Sequence, residues 1–500
     1  MIRDTHVIGL DIGTTSTIAL LLRLPGTVVA VAERPNTLSS PYPGWAEEDP
    51  QQWWQNACAV LREVLQAEPS ARRSLAGLCV TGMVPAMVLL DQDGRVLRPS
   101  IQQSDGRCAA EVQALVQEAD PDAFLGRTGN GINQQLIAAK LRWIEKHEPE
   151  TFSQVATVLG SYDYINYRLT GRRAVEFNWA LEAGFVELAT GKIADELVAL
   201  GHVARAAIPD FVRAHEVTGH VNEAAAAQSG LPQGLPVFGG AADHIASAFA
   251  AGVVSPGDVL LKFGGAGDII MASETARPDA RLFLDAHLVP GLWAPNGCMA
   301  STGSALNWLA ATIAPDAHRP HAALDVLAAQ VAPASDGVLC LPYFLGEKTP
   351  IHDPLARGVF SGLSLGHGRG HLWRALLEAV AFGFRHHIEV MRELGYAPRR
   401  FLTSDGGSRS RIWMQIVADV LQQPVQPLEA AHGSSVGAAF VAAIGADAGV
   451  DWNDVTRMLR LAEPLKPTAG NARAYDRTFA DFLELYTTLK PHFRSVAAPR

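Results

Sequence analysis

Apolar residues along this chain fall into two rhythms. Short runs of aliphatic and β-branched residues bounded by glycine read as buried strands, and longer stretches with apolar positions three and four apart read as helices. The first run is His6-Val-Ile-Gly-Leu-Asp-Ile-Gly-Thr-Thr-Ser-Thr-Ile-Ala-Leu-Leu-Leu22. It predicts a strand over 7–11, a Gly/Thr turn, and a second strand over 18–22. Residues 50–65 predict a helix capped by Asp49 with Pro50 at its first position. A buried strand over 75–80 follows, then a strand over 88–91 pairing across the turn Asp91-Gln-Asp-Gly94, then a helix opened by Ser104-Asp-Gly-Arg107 and running to about Glu118. Val237-Phe238 leads through Ala241-Ala242-Asp243-His244 into an Ala-rich helix ending near Ala251.

The rhythm then starts again. Asp258-Val-Leu-Leu-Lys-Phe-Gly-Gly-Ala-Gly-Asp-Ile-Ile-Met271 copies the opening: apolar strand, Gly-rich turn, apolar strand. Two halves that begin alike predict a duplicated domain with a cleft between the copies, divided as 1–252 and 253–500. Later, Phe401-Leu-Thr-Ser-Asp-Gly-Gly-Ser-Arg-Ser410 predicts strand, Gly-Gly turn and a helix over 411–421, and Gly433-Ser-Ser-Val-Gly-Ala-Ala-Phe440 opens a helix whose small residues allow close packing.

At 500 residues the chain is too long for one core, which fits two large domains. A net charge of −10 argues against general binding to nucleic acid or an anionic membrane, although a local phosphate pocket remains open. Five scattered cysteines without C-x-x-C spacing give no zinc site and fit a reducing, cytoplasmic setting. Residues 436–446 are too few and too Ala/Gly-rich for a membrane span, and the N-terminus carries no signal-peptide pattern.

Chemistry concentrates at the turns. Backbone N–H groups and hydroxyls in a Gly/Thr/Ser turn suit an anion, and Asp11 at the strand end is a hard oxygen donor suited to Mg²⁺. A helix N-terminus behind Gly406-Gly407 offers a second anion or nucleotide contact. Asp243, on its residues alone, reads as the cap of the helix that follows.

With these residues in view, the chain resembles the FGGY carbohydrate kinases over nearly its whole length. Gly358-Val-Phe-Ser-Gly-Leu363 with His371-Leu-Trp-Arg-Ala-Leu-Leu-Glu378 satisfies that family's C-terminal signature. Lys140-Leu-Arg-Trp-Ile-Glu-Lys146 fits the N-terminal signature in part, with Gln135 and Ile137 departing from it. Leu341-Pro-Tyr-Phe-Leu-Gly-Glu-Lys-Thr-Pro350 is similar to a pentulose-kinase motif, and Gly44-Trp-Ala-Glu-Glu-Asp-Pro50 and Ser104-Asp-Gly-Arg-Cys108 to motifs of the xylulokinase branch.

The resemblance implies an α/β fold of duplicated actin-like ATPase (ribonuclease H-like) domains, with mixed sheets flanked by helices and a cleft between the lobes. It implies ATP and Mg²⁺ as cofactors and a small ketose as acceptor, most plausibly a pentulose such as D-xylulose. It places Asp11 at Mg²⁺, Thr14 and Thr15 at the γ-phosphate, and Asp243 as the base that accepts the sugar hydroxyl proton. Gly264, Gly265, Ala266 and Gly267 would hold the ATP phosphates, although hydroxyl residues common in relatives are missing there. Gly406, Gly407 and Ser408 would flank adenosine, with Asp405 replacing the usual first glycine.

At the sugar end Val84-Pro85 replaces a Met-His pair, Gln103 and Ser104 stand where Trp and Asn are common, and His244 stands where Asn or Gln follows the aspartate. Asp105 and Arg107 are candidate sugar contacts, with a helix cap and a surface charge as the competing reading. Trp45 and Trp53 are expected in the core. Such swaps leave ribulose, a branched pentulose, a tetritol or glycerol as alternative substrates, and the altered 264–267 turn leaves a sugar-binding or regulatory homologue as a third reading. A homodimer is compatible with the resemblance; neither nucleic acid nor a membrane is expected as a partner.

Overall fold

The computed structural model describes residues 4–429 and 433–497. It contains two six-stranded sheets. The first orders its strands Val217–His220, Pro236–Ala242, Leu75–Gly82, His6–Ile12, Ser16–Arg23 and Thr27–Pro35; the second runs Phe283–Ala286, Trp293–Met299, Gly267–Met271, Asp258–Phe263, Arg400–Ser404 and Val425–Pro427. In each, the opening strand pairs antiparallel with the next strand in sequence and parallel with a later one. The repeat seen in the sequence is therefore a repeat of topology.

Registers repeat as well. Asp11, one residue before the end of His6–Ile12, lies opposite Ile18 and Thr81. Lys262, one residue before the end of Asp258–Phe263, lies opposite Asp268 and Ser404. Duplication thus sets a carboxylate in one lobe and an ammonium in the other at equivalent strand ends.

Most elements form as their residues dictate. The helix Pro50–Ala67 starts on Asp49, whose side chain accepts the Gln51 N–H, and the apolar spacing buries Trp53, Leu61 and Val64. Arg411–Leu421 opens on Ser410, which accepts the Trp413 N–H. Two local expectations change. Val88–Leu90 pairs with the distant strand Thr157–Leu159 rather than forming an extended local hairpin, because both segments are buried and mainly apolar. The helix after Ser104 begins later, at Ala109–Glu118, with no side-chain cap.

The helix Gly433–Gly445 crosses to the first sheet and joins its core, alongside Leu260, Ile270 and Leu402 of the second sheet. Its approach needs small residues: a Cβ at Gly437 would strike the Ala246 backbone, and one at Gly9 would strike the Ser435 backbone. The small-residue packing expected from the sequence is what locks this helix under the cleft. Among the described residues, no helix is long and apolar enough to cross a membrane.

Candidate active site between the lobes

Two neighbouring cavities meet the predicted turns, one between the lobes and one within the second lobe. The first, about 420 Å³, is lined from the first lobe by Val84, Gln103, Asp243 and His244 and from the second by Lys262, Asp285, Asn296 and Lys348. The second, about 550 Å³, is lined by Gly264, Gly265, Gly406, Gly407, Trp373 and Trp413. The turns at Gly264 and Asp405-Gly406 separate them, since Asp405 faces the first cavity and Gly406 the second.

Asp243 is the first residue of the helix Asp243–Ala250 and stands at the mouth of the 420 Å³ cavity, with about a third of its side chain open to solvent. Its Oδ1 accepts the His244 N–H at 2.6 Å. Asp11 is buried nearby, and its Oδ1 has no protein partner. Burial, and then the charge of Asp243, push the Asp11 carboxyl up to about 7, against the Ser434 hydroxyl and Lys262, which favour ionisation. Lys262 lies 3.5 Å from Asp268. Burial works against its charge, but Asp268, Asp405 and Asp243 outweigh this and raise its pKa. A hydrated divalent cation fits this set: an unpartnered buried carboxylate oxygen, further carboxylates around it and one lysine for a phosphate.

His244 bridges toward the second lobe. Its Nε2 lies 3.0 Å from Asp285 Oδ2, and Asn296 Nδ2 donates to the same oxygen at 2.8 Å. Burial opposes the imidazolium, yet hydrogen bonds to Asp243 and Asp285 prevail and raise the His244 pKa well above its ordinary value.

Other predicted residues are placed as follows. Val84 lines the 420 Å³ cavity; Pro85 is buried behind it, its carbonyl accepting from Lys140 Nζ at 3.2 Å. The same buried ammonium donates to Gln102 at 2.9 Å, so the signature lysine fastens both sugar-end segments from beneath. Thr14 and Thr15 sit on the hairpin turn and line neither cavity. Gly264 and Gly265 wall the larger cavity, whereas Ala266 and Gly267 do not. Thr302 donates to the Gly264 carbonyl at 2.8 Å and Ser304 to Gly265 at 3.0 Å, so hydroxyls from the helix Gly303–Ile313 and its cap brace the turn that lacks its own. The Ser408 hydroxyl is spent on the Asp405 carbonyl at 2.7 Å.

Asp105 and Arg107 are not at the cavity. Asp105 accepts the Ala46 N–H at 2.6 Å and pairs with Arg107 at 2.7 Å, and Arg107 also meets Glu47 at 2.7 Å and stacks on Trp45. Buried against each other and away from the cavity lining, the pair acts as a structural strut. Trp53 is in the core, as expected, while Trp45 covers the strut.

Residues that sequence reasoning missed are Lys262, Asp268, Glu182, Asp285 and Asn296. Lys262 was legible in principle as the repeat's counterpart of Asp11; Asp285 and Asn296 carry no local signal. The 341–350 motif acts indirectly: Glu347 accepts the Ala300 N–H at 2.6 Å, and Thr349 Oγ1 accepts the Cys298 N–H at 2.6 Å. Both hold the strand that presents Asn296.

A duplicated two-lobed fold with Asp243 and Lys262 facing one polar cavity suits phosphoryl transfer. The chain belongs to the FGGY family of carbohydrate kinases: the family's N-terminal domain matches residues 6–250 and its C-terminal domain residues 263–446. It is accordingly a sugar kinase that takes its phosphate from ATP. It is 32% identical to the xylulose kinase of Escherichia coli K12 over 97% of this chain and 99% of that protein, and 34% identical to that of Klebsiella pneumoniae over 97% and 99%. The crystal structure of xylulose kinase from Rhodospirillum rubrum superposes with a TM-score of 0.95 at 63% identity, covering 98% of this chain and 100% of that one.

Proposed function

We propose that the protein phosphorylates a ketopentose, xylulose first among candidates, at the point where Asp243 meets the end of the triphosphate. The observation that carries this reading is the position of Asp243, on the wall of a polar, two-lobed cavity and beside the buried Asp11. Asp243 accepts the hydroxyl proton as the sugar oxygen bonds to the γ-phosphorus and the bond to the bridging oxygen breaks, releasing ADP. Lys262, on the facing strand, offsets charge on the transferring group. The Gly264-Gly265 and Gly406-Gly407 turns hold the nucleotide in the 550 Å³ cavity. Mg²⁺ at Asp11 would supply further charge neutralisation to the phosphates. Closure of the lobes excludes water, so that the phosphoryl group goes to sugar.

Similarity to named xylulose kinases supports the substrate class. A second reading, another ketose or polyol, is favoured by the apolar Val84 on the cavity wall, which offers a sugar hydroxyl no hydrogen bond. Coupled ADP-release assays over xylulose, ribulose, erythrulose, erythritol and glycerol separate the two. Highest kcat/KM with xylulose supports the first; a preference for another member by tenfold or more supports the second.

A further inference from the structure

Glu182 closes the helix Phe177–Glu182 of the first lobe, and Asp285 sits in the edge strand Phe283–Ala286 of the second. With His244, their potential ligand atoms lie within 4.8 Å of one another. The Glu182 carboxyl lies beside that of Asp285, and burial together with the Asp285 charge holds Glu182 well above the usual carboxyl range. Asp285 is only 1% exposed, yet its Oδ1 has no hydrogen-bond partner, nor has Glu182 Oε1. Both residues line the 420 Å³ cavity. Buried acceptors short of donors are costly, and a polyhydroxylated ligand supplies donors.

The edge strand is fixed by two asparagines of the other lobe. Asn130 bonds the Leu284 N–H and C=O at 3.0 and 2.9 Å, and Asn178 bonds those of Ala286, both at 2.8 Å. Each amide side chain takes the place of a neighbouring strand, and Asp285 lies between the two gripped residues. A divalent cation suits the set less well than a sugar does. His244 Nε2 is occupied by Asp285 Oδ2 at 3.0 Å, so it has no free lone pair for a metal. His244 Nδ1, in turn, is 3.6 Å from Asp243. The imidazole therefore spans from the base to the acid pair, and a sugar lying along it would bring its further hydroxyls to Glu182 and Asp285.

We propose that Glu182 and Asp285 are specificity-determining residues that read hydroxyls of the acceptor beyond the one that is phosphorylated. Because each lobe contributes one acid, sugar recognition and lobe closure become one event. The proposal rests on the ketose-kinase reading above. The test compares Glu182→Gln and Asp285→Asn with the parent enzyme on xylulose, its 1-deoxy analogue and the four-carbon erythrulose. KM for xylulose should rise about tenfold or more while KM for ATP changes less than twofold, and the variants should lose the parent's preference for xylulose over at least one truncated analogue. Variants that keep the parent's preference ratios overturn the proposal, whatever their absolute rates. If Asp285→Asn is inactive, the milder Glu182→Gln and xylulose binding by calorimetry decide the matter on the same criterion. Zinc or manganese binding by the sugar-free parent that Asp285→Asn abolishes would also overturn it. Failure of the ketose reading looks different: the parent itself would phosphorylate no ketopentose, and the same ratios would then be taken on the acceptor it does use.

Discussion

Asn178 grips Ala286 with both ends of its side-chain amide: Nδ2 donates to the Ala286 carbonyl at 2.8 Å, and Oδ1 accepts the Ala286 N–H at 2.8 Å. Asn130 does the same for Leu284. These contacts join the lobes through backbone groups that water would otherwise have to satisfy. Replacing Asn178 by Ala leaves a half-buried donor and acceptor unpaired, which costs up to about 1–3 kcal/mol. The expected outcome is a lower urea midpoint and a raised KM for sugar with little change in KM for ATP.

Asp405 holds φ 70° and ψ −173°, a backbone region that suits glycine, at the turn where relatives of this fold were expected to carry one. Its carboxylate faces the cavity beside Lys262, next to the turn proposed above to hold the phosphates. Strain of this kind costs about 1–3 kcal/mol. Asp405→Gly should therefore raise the melting temperature, or leave it level after glycine's extra chain entropy, and lower KM for ATP. Steady-state kinetics and thermal melts read both effects.

On the proposed role of Asp11 at Mg²⁺, pH and metal binding are linked. Its carboxyl is raised from 3.8 to about 7, so between those values the folded chain binds a proton that the unfolded chain has lost. Stability from this group therefore falls as pH rises through that window, and a cation that needs the carboxylate binds better above it. Added Mg²⁺ should raise the melting temperature more at pH 8 than at pH 6, and Asp11→Asn should remove the difference.

Much of this was legible in the sequence because the signals are local or repeated. The Asp11 hairpin, the Asp243 helix and the Gly-Gly turn are each coded within about twenty residues, and the duplication repeats the first of them. The pairing of Val88–Leu90 with Thr157–Leu159 was not legible, because two apolar strands carry no mark of which partner they choose. Asp105 and Arg107 looked free to bind a ligand because a sequence does not show that they pair with each other inside the fold. Glu182 and Asp285 lie about a hundred residues apart on different lobes, so only the closed cleft brings them together.

The role of Asp243 is tested by replacing it with Asn, which keeps the shape and removes the basic oxygen. Paired measurements of sugar-dependent ADP release and of xylulose binding by calorimetry should show kcat lowered by about 10²- to 10⁴-fold with sugar affinity changed only slightly. An Asp243→Asn enzyme that turns over at the parent rate would contradict the assignment of the base and, with it, the reading of this cleft as the place of phosphoryl transfer.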